Sequence, residues 1–355
     1  MPELDVALDQ ASAPDQRIKK WLFILLKLAV STVLIGVLLS RIQWRALWEA
    51  LVNIQAIYFV LSFGAMFLLE WKTAVRLKIL LRPTVVRVSL LKILKVSFVG
   101  RFYGLFLPAG VGYNLVRWYK MTKNPTGRVQ FFLVVLVEQS LNIFLMLACV
   151  VFPLWLSTDP AIAHLQEGLL ITSTVLLLGL AVFYLFFVVH PLCVLFHKWE
   201  AFFAPLRERL FSKDAMESFD LSMYCGRTSD FLGALLVSSL VQGATLIRVL
   251  FLFWAVGVDL PWYTVLWIGS LVVFLQALPI SIAGIGIRES AFAYMLSLYG
   301  AAYELGALVG LLFLTQVILG ALIGGVIELM DRGEPHGSET TRKPRSYEPV
   351  ALREG

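Results

Sequence analysis

Residues 278–286 read LPISIAGIG, and Arg288 and Glu289 follow immediately after Ile287. The proline and glycines break helices, yet they stand inside an otherwise apolar segment. A similar stretch, LPAGVG at 107–112, is followed by Arg117, and the prolines of the two stretches are 171 residues apart, as are the arginines. Paired interrupted spans at corresponding positions of two halves are typical of membrane transporters. The pattern therefore predicts a transport site built from two broken segments.

The composition is that of a membrane protein. Of 355 residues, 59% are hydrophobic and only 15% are charged, against roughly 25% charged in soluble domains. The apolar residues form runs of about 20, the length that crosses a bilayer core of about 30 Å. The three cysteines and four histidines are scattered and form no CxxC or Cys/His cluster, so we expect no metal site, disulfide framework or cofactor. The fold class predicted is an all-α polytopic membrane protein.

The apolar runs predict six full spans and two re-entrant interrupted hairpins. The N-terminal run is long enough to be a span and lacks a cleavage site, so it is not read as a signal peptide. The predicted spans are 21–40, 54–71, 129–154, 168–190, 231–257 and 304–330, and the hairpins are about 88–112 and 263–300. Outside them we predict a cytoplasmic tail (1–20), an amphipathic cytoplasmic linker (191–229) and a disordered cytoplasmic tail (331–355).

Basic residues give this topology an orientation. Of 30 Lys and Arg, 24 lie in five regions: the N-terminal tail, 72–95, 113–128, 191–229 and 331–355. The positive-inside rule places these regions, and so both termini, in the cytoplasm. One hairpin then enters from each face, which is the pattern of an inverted repeat of 21–154 and 168–330. In support, Glu70 and Arg76 recur as Gln242 and Arg248 at an offset of 172.

Four charged residues are predicted inside the spans or at their ends. Arg248 lies deep in an apolar run, where an unpaired arginine costs about 2.5–3.5 kcal/mol on insertion scales. We therefore expect it to face the bundle interior and to pair with Glu138 or, as a second candidate, Glu70. Arg76 and Glu70 are six residues apart and do not share a helix face, so each needs a partner from another helix, or Arg76 reaches the interface. These charges form either a structural ion pair or a polar path.

The two hairpins supply the predicted substrate-binding residues. Free N–H groups at half-helix N-termini favour anions, and Arg101, Arg117 and Arg288 beside such ends would suit a phosphate. The alternative is helix-end capping with no ligand. The predicted binding residues are Arg288, Glu289, Arg117, Arg101, Pro108, Gly110, Gly112, Pro279, Gly284 and Gly286. In the last span, the pairs Gly306/Gly310 and Gly320/Gly324 predict close helix packing.

Residues 100–117 and 278–289 resemble two blocks of the lysylphosphatidylglycerol synthase transmembrane region, also called the flippase-like family. The resemblance covers roughly residues 20–330. It implies a polytopic helical bundle that moves aminoacylated phosphatidylglycerol between leaflets or serves polyprenyl-lipid, hopanoid or glycolipid pathways. The soluble aminoacyl-transferase domain of full-length synthases is not expected here, so the chain is not expected to make lysyl lipid.

The sequence thus predicts a lipid flippase in the inner or plasma membrane and not an enzyme. Its substrate would be a phospholipid, polyprenyl-lipid or glycolipid head group of anionic or polyprenyl-phosphate type, and no nucleic acid is expected as a partner. The alternative is a non-transporting membrane partner of a lipid-modifying or glycosyl-transferring enzyme. A third hypothesis, an integral-membrane transferase, is the weakest, because no cluster of carboxylates or metal ligands faces one side.

Overall fold

The fold is described here by a computed structural model. It describes residues 32–33, 36–106, 111–122, 125–156, 163–188, 228–277 and 284–333. Within these ranges the regular secondary structure is entirely helical, which confirms the predicted all-α class. The predicted linker up to residue 227, the C-terminal tail and most of the first span lie outside the described residues.

Ten helices of nine or more residues make up the described part of the chain. Five of them have 25 residues or more and an apolar composition, and four others form two pairs of short helices. They are α1 (Trp44–Val52), α2 (Ala56–Leu80), α3 (Leu90–Phe106), α4 (Val111–Met121), α5 (Pro125–Leu156), α6 (Ala163–Val188), α7 (Thr228–Ala255), α8 (Trp262–Ala277), α9 (Ile287–Leu298) and α10 (Tyr303–Gly333).

Helices α2, α5, α7 and α10 are long and apolar enough to cross a membrane. They correspond to four of the six predicted spans. Their outward faces carry large apolar side chains, such as Trp155, 75% exposed, and Leu236, 65% exposed. Such exposure is unfavourable in water and is expected where lipid chains cover the surface. Helix α6 lies at the predicted span 168–190 and contains a shorter apolar stretch, Gln166–Val182.

The two interrupted regions each form a pair of short helices. Helices α3 and α4 contact each other, as do α8 and α9. With 11 to 17 residues each, these helices are roughly 17 to 26 Å long, short of the ~30 Å hydrocarbon core. The interruptions themselves, 107–110 and 278–283, lie outside the described residues, and with them the predicted site residues Pro108, Gly110 and Pro279.

Two helices extend beyond the apolar runs that define the predicted segments. Helix α4 runs from Val111 to Met121 and includes Arg117. Helix α2 continues past residue 71 to Leu80 and includes Arg76. Both arginines are buried, at 1% and 4% exposure. The helices extend because these side chains find polar partners inside the bundle, which apolar run lengths do not reveal.

Helices α2 and α7 form the central antiparallel pair of the bundle, with the most extensive contact of any two helices in the described residues. At one end Gln55 N donates to Ala255 O at 2.9 Å. In the middle Ser62 Oγ donates to Arg248 O at 2.9 Å. At the other end Arg82 Nη1 donates to Asp230 Oδ1 at 2.9 Å. The place of a residue along α2 therefore gives its depth in the bundle.

The other helices pack around this pair in two similar sets. Helix α2 contacts α3 as α7 contacts α8, and α3 packs on α10 as α8 packs on α5. Helix α4 likewise contacts α5, and α9 contacts α10. One apolar core includes Phe253, Trp267 and Phe292, and another includes Ile93 and Phe131. The chain thus builds two cores that meet along α2 and α7.

The glycines of α10 allow close approach to both hairpins. A Cβ on Gly324 would lie 1.9 Å from Phe98 O of α3, and one on Gly306 would lie 2.5 Å from Ala293 Cα of α9. A Cβ on Gly310 would lie 2.7 Å from Glu289 Cα. These distances confirm the prediction that the glycine pairs mark close helix packing.

Candidate functional site

A set of buried acidic and basic side chains lies between the helices, and we call it the charged core. It comprises five arginines and three glutamates drawn from α2, α3, α4, α5, α7 and α9. Seven of the eight are at most 4% exposed, and the side chain of Arg101 is 21% exposed. Its members are Arg76, Arg101, Arg117, Arg248, Arg288, Glu70, Glu138 and Glu289. Charged side chains buried this deeply in a membrane bundle are paired with one another or have a functional role.

Glu138 of α5 joins two arginines from different helices. Its Oε1 accepts a hydrogen bond from Arg76 Nη2 at 3.1 Å, and its Oε2 accepts one from Arg117 Nη2 at 3.1 Å. Arg76 also donates from Nη1 to Ser238 Oγ of α7 at 3.4 Å. The guanidinium of Arg117 lies 4.9 Å from the ring centroid of Tyr113. One carboxylate therefore balances two cations, and this group retains one positive charge.

Glu70 of α2 pairs with Arg101 of α3. The pair links α2 to α3, the first helix of the first pair of short helices. This agrees with the prediction that Glu70 needs a partner on another helix. In the second set of helices Gln242 Nε2 donates to Ser270 Oγ at 3.0 Å, which links α7 to α8. The charged link of the first set thus has a neutral amide–hydroxyl link as its counterpart.

Arg248 of α7 is bound by an amide instead of a carboxylate. Its Nε donates to Gln316 Oε1 of α10 at 2.6 Å, and Gln316 Nε2 donates to Ser62 Oγ at 2.8 Å. The guanidinium lies 3.8 Å from the ring centroid of Phe313. The predicted pairing of Arg248 with Glu138 or Glu70 was wrong, because both glutamates are bound by other arginines.

Arg288 and Glu289 begin helix α9. Arg288 donates from Nη2 and Nε to Glu289 Oε1, at 2.5 and 3.1 Å, and is fully buried. Glu289 Oε2 accepts a hydrogen bond from Gly286 N at 2.8 Å and so caps the helix. Gly286 has φ 86°, a conformation that favours glycine. Glu289 therefore caps the helix end and pairs with Arg288, as in the alternative of capping with no ligand.

The preceding glycine explains the close turn before α9. Gly284 has φ 74°, and a Cβ there would lie 3.0 Å from Gln276 Cγ of α8. The motif glycines therefore shape the backbone where α8 and α9 meet. Gly112, predicted at the first break, lies in the first turn of α4 and is buried.

Arg248 supplies one of the unbalanced positive charges of the charged core. Arg248 and Arg288 both lie against the Phe313 ring, the latter at 5.2 Å from its centroid. Arg288 is paired with Glu289, and Arg101 is paired with Glu70. Among the described residues no carboxylate pairs with Arg248, and its Nη2 has no hydrogen-bond partner there. With five arginines and three glutamates, the charged core carries an excess of two positive charges.

The charged core spans several depths of the bundle. Arg248 and Gln316 lie level with Ser62 of α2, the Arg101 pair lies at Glu70, and the Glu138 group lies at Arg76. Fourteen residues separate Ser62 from Arg76, which is about 21 Å along a helix. The hydrocarbon core of a bilayer is about 30 Å thick. These acidic and basic side chains therefore extend over a length that is a large part of that thickness.

Sequence reasoning found the charged residues but missed their uncharged partners. Gln316, Ser62 and Phe313 complete the surroundings of Arg248 and were not predicted. Gln316 carried a sequence signal, because an amide within an apolar span requires a hydrogen-bond partner. In the structure it is fully buried. Phe313 carried none, since a phenylalanine in a membrane helix is ordinary.

A family model described as "Lysylphosphatidylglycerol synthase TM region" matches residues 24–324. The match includes the charged core and both pairs of short helices. No curated protein matches the chain.

Proposed function

Because the chain belongs to the lysylphosphatidylglycerol synthase TM region family, we propose that it is a lipid translocator that passes a head group between leaflets. The family and the apolar helices support a multi-pass membrane protein connected with lipids. The observation that carries the proposal is the charged core, which extends about 21 Å along α2. A head group crossing the hydrocarbon requires such polar contacts, since lipid chains offer none.

The proposal includes an inverted repeat, with α2 to α5 as one half and α7 to α10 as the other. The matching contacts of the two sets and the antiparallel α2–α7 pair support it. Arg76 and Arg248 are each the twenty-first residue of α2 and α7, and Glu70 and Gln242 are each the fifteenth. Such halves bind substrate where they meet and alternate between faces.

The proposed orientation follows from charge bias. The α2–α3 connection and the N-terminal end of α7 lie at the basic end of the bundle, which we assign to the cytoplasm. Both termini are then cytoplasmic, and the membrane is the inner or plasma membrane. The proposal gives the chain no chemical step, so it acts as a translocator and not as an enzyme.

The test is lipid scrambling in proteoliposomes that contain the purified full-length chain. Fluorescent phosphatidylglycerol in both leaflets would be reduced from outside by dithionite, and the fraction reduced reports transport. We expect wild type and Arg45→Gln, whose side chain is 93% exposed, to be equally active. Loss of scrambling activity in the Arg288→Ala variant would support a place for Arg288 in the path. Full activity of the variant would exclude Arg288 from the path. No movement of any lipid class by folded protein would overturn the function and favour the non-transporting partner.

A further inference from the structure

We propose that Arg248, held by Gln316 and flanked by Arg288, binds the phosphate of a lipid head group inside the bundle. This site names the ligand of the translocation path and therefore rests on the proposed function. It also moves the phosphate contact away from Arg288, the residue favoured by the sequence. Arg288 is neutralised by Glu289, whereas Arg248 has an amide in place of a carboxylate.

Arg248 and Arg76 occupy matching positions, but Arg248 lacks the carboxylate partner that Arg76 has. Each is the twenty-first residue of its helix, and each bonds to the fourteenth residue of another long helix. For Arg76 that residue is Glu138, and for Arg248 it is Gln316. The same framework therefore holds an anion against one arginine and a neutral amide against the other.

The geometry of Arg248 leaves it able to accept an anion. Only its Nε is used by Gln316, while its Nη2 is buried without a partner among the described residues. Phe313 contacts the guanidinium from one side and also contacts Arg288, so the two cations share one aromatic wall. Burying a guanidinium is unfavourable unless it is paired and hydrogen-bonded. A phosphate oxygen supplies both the charge and the acceptor.

The charge around Arg248 also selects the ligand class. Glu289 pairs with Arg288 and Glu70 pairs with Arg101, whereas no carboxylate of the described residues pairs with Arg248. An added cation beside Arg248 is therefore repelled and an anion is attracted. The ligand is therefore a lipid whose head group is a net anion, such as a phosphate monoester. A head group with a net positive charge, such as one carrying a lysyl ester, does not suit this site.

Binding would be measured without transport, by isothermal titration calorimetry on the purified full-length chain in a nonionic detergent. The probes are dihexanoyl phosphatidic acid, inorganic phosphate and the cationic lipid dihexanoyl ethylphosphocholine. The informative variant is Gln316→Glu, which introduces at Arg248 the carboxylate that Arg76 already has. Its matched control is Gln55→Glu, which adds the same charge at an exposed position. Arg248→Gln removes the cation and serves as a second variant.

We expect wild type and Gln55→Glu to bind phosphatidic acid more tightly than inorganic phosphate and not to bind the cationic lipid. Gln316→Glu and Arg248→Gln should each weaken phosphatidic acid binding by at least about tenfold. Gln316→Glu should also unfold at a higher temperature than wild type, because the new carboxylate pairs with Arg248. Unchanged binding in both variants would overturn the site, and equal binding of inorganic phosphate would overturn its assignment to a lipid.

The binding and scrambling assays separate this site from the function. Wild-type protein that scrambles lipid but does not bind phosphatidic acid would overturn the site and leave the function. Binding that depends on Arg248 and Gln316, with no scrambling of any lipid, would support the anion site and overturn translocation. Tighter binding of the cationic lipid than of phosphatidic acid would overturn the ligand class.

Discussion

Glu138 and Arg117 meet at 3.1 Å between α5 and α4, and each side chain is 1% exposed. The contact ties the return helix of the first hairpin to a long helix. The other oxygen of the same carboxylate is used by Arg76 of α2. One side chain therefore holds three helices together at one depth of the bundle. Removal of the Glu138 carboxylate should therefore lower stability more than removal of a carboxylate from an exposed ion pair.

Replacement of Glu138 by glutamine should destabilise the fold strongly. Arg76 and Arg117 would stay buried without a carboxylate, and breaking a buried pair in this way costs about 3–5 kcal/mol. The control is Glu49→Gln, because the Arg45–Glu49 pair is exposed and such pairs contribute about 0.3–0.5 kcal/mol. The free energy of unfolding would be measured by titration with sodium dodecyl sulfate. Equal losses in the two variants would contradict the structural role of Glu138.

The Glu70–Arg101 pair should behave as a coupled unit. Glu70→Gln or Arg101→Gln alone leaves one buried charge without its partner, whereas the double variant leaves two neutral amides. The other set of helices uses the neutral Gln242–Ser270 link in the same role. We expect the double variant to be more stable than the sum of the single losses predicts, by about 1–3 kcal/mol. Additive losses in a double-mutant cycle would show that the two side chains do not interact.

Much of the architecture could be predicted from the sequence, because apolar run length reports spanning helices directly. The buried charges were also identifiable, since an arginine within an apolar run must face the bundle. Their pairing could not be predicted. Opposite charge suggested Glu138 for Arg248, but which side chains meet depends on depth and helix rotation. Arg117 was predicted as a substrate-binding residue beside the first hairpin, and its pairing with Glu138 was not foreseen.

Substitution of Gly324 by alanine should disrupt the packing of α10 on α3. The added Cβ would lie 1.9 Å from the backbone carbonyl oxygen of Phe98, and backbone cannot rotate away as a side chain can. Overpacking of this kind typically costs about 1–3 kcal/mol. The control is Gly64→Ala on α2, where nothing lies within 4 Å of the new Cβ. The control should be neutral or more stable in the same detergent titration, and a neutral Gly324→Ala would contradict the close contact.

The two ends of the α2–α7 pair should be reached from opposite sides of the membrane. Single cysteines at Asp259 and Arg87, both exposed, would be introduced after replacement of Cys149, Cys193 and Cys225. Because residues 72–95 are rich in Lys and Arg, the positive-inside rule places Arg87 in the cytoplasm. A membrane-impermeant maleimide added to intact cells should therefore label the cysteine at 259 and reach the one at 87 only after permeabilisation. The reverse pattern would contradict the orientation, and labelling of both in intact cells would contradict the antiparallel span arrangement.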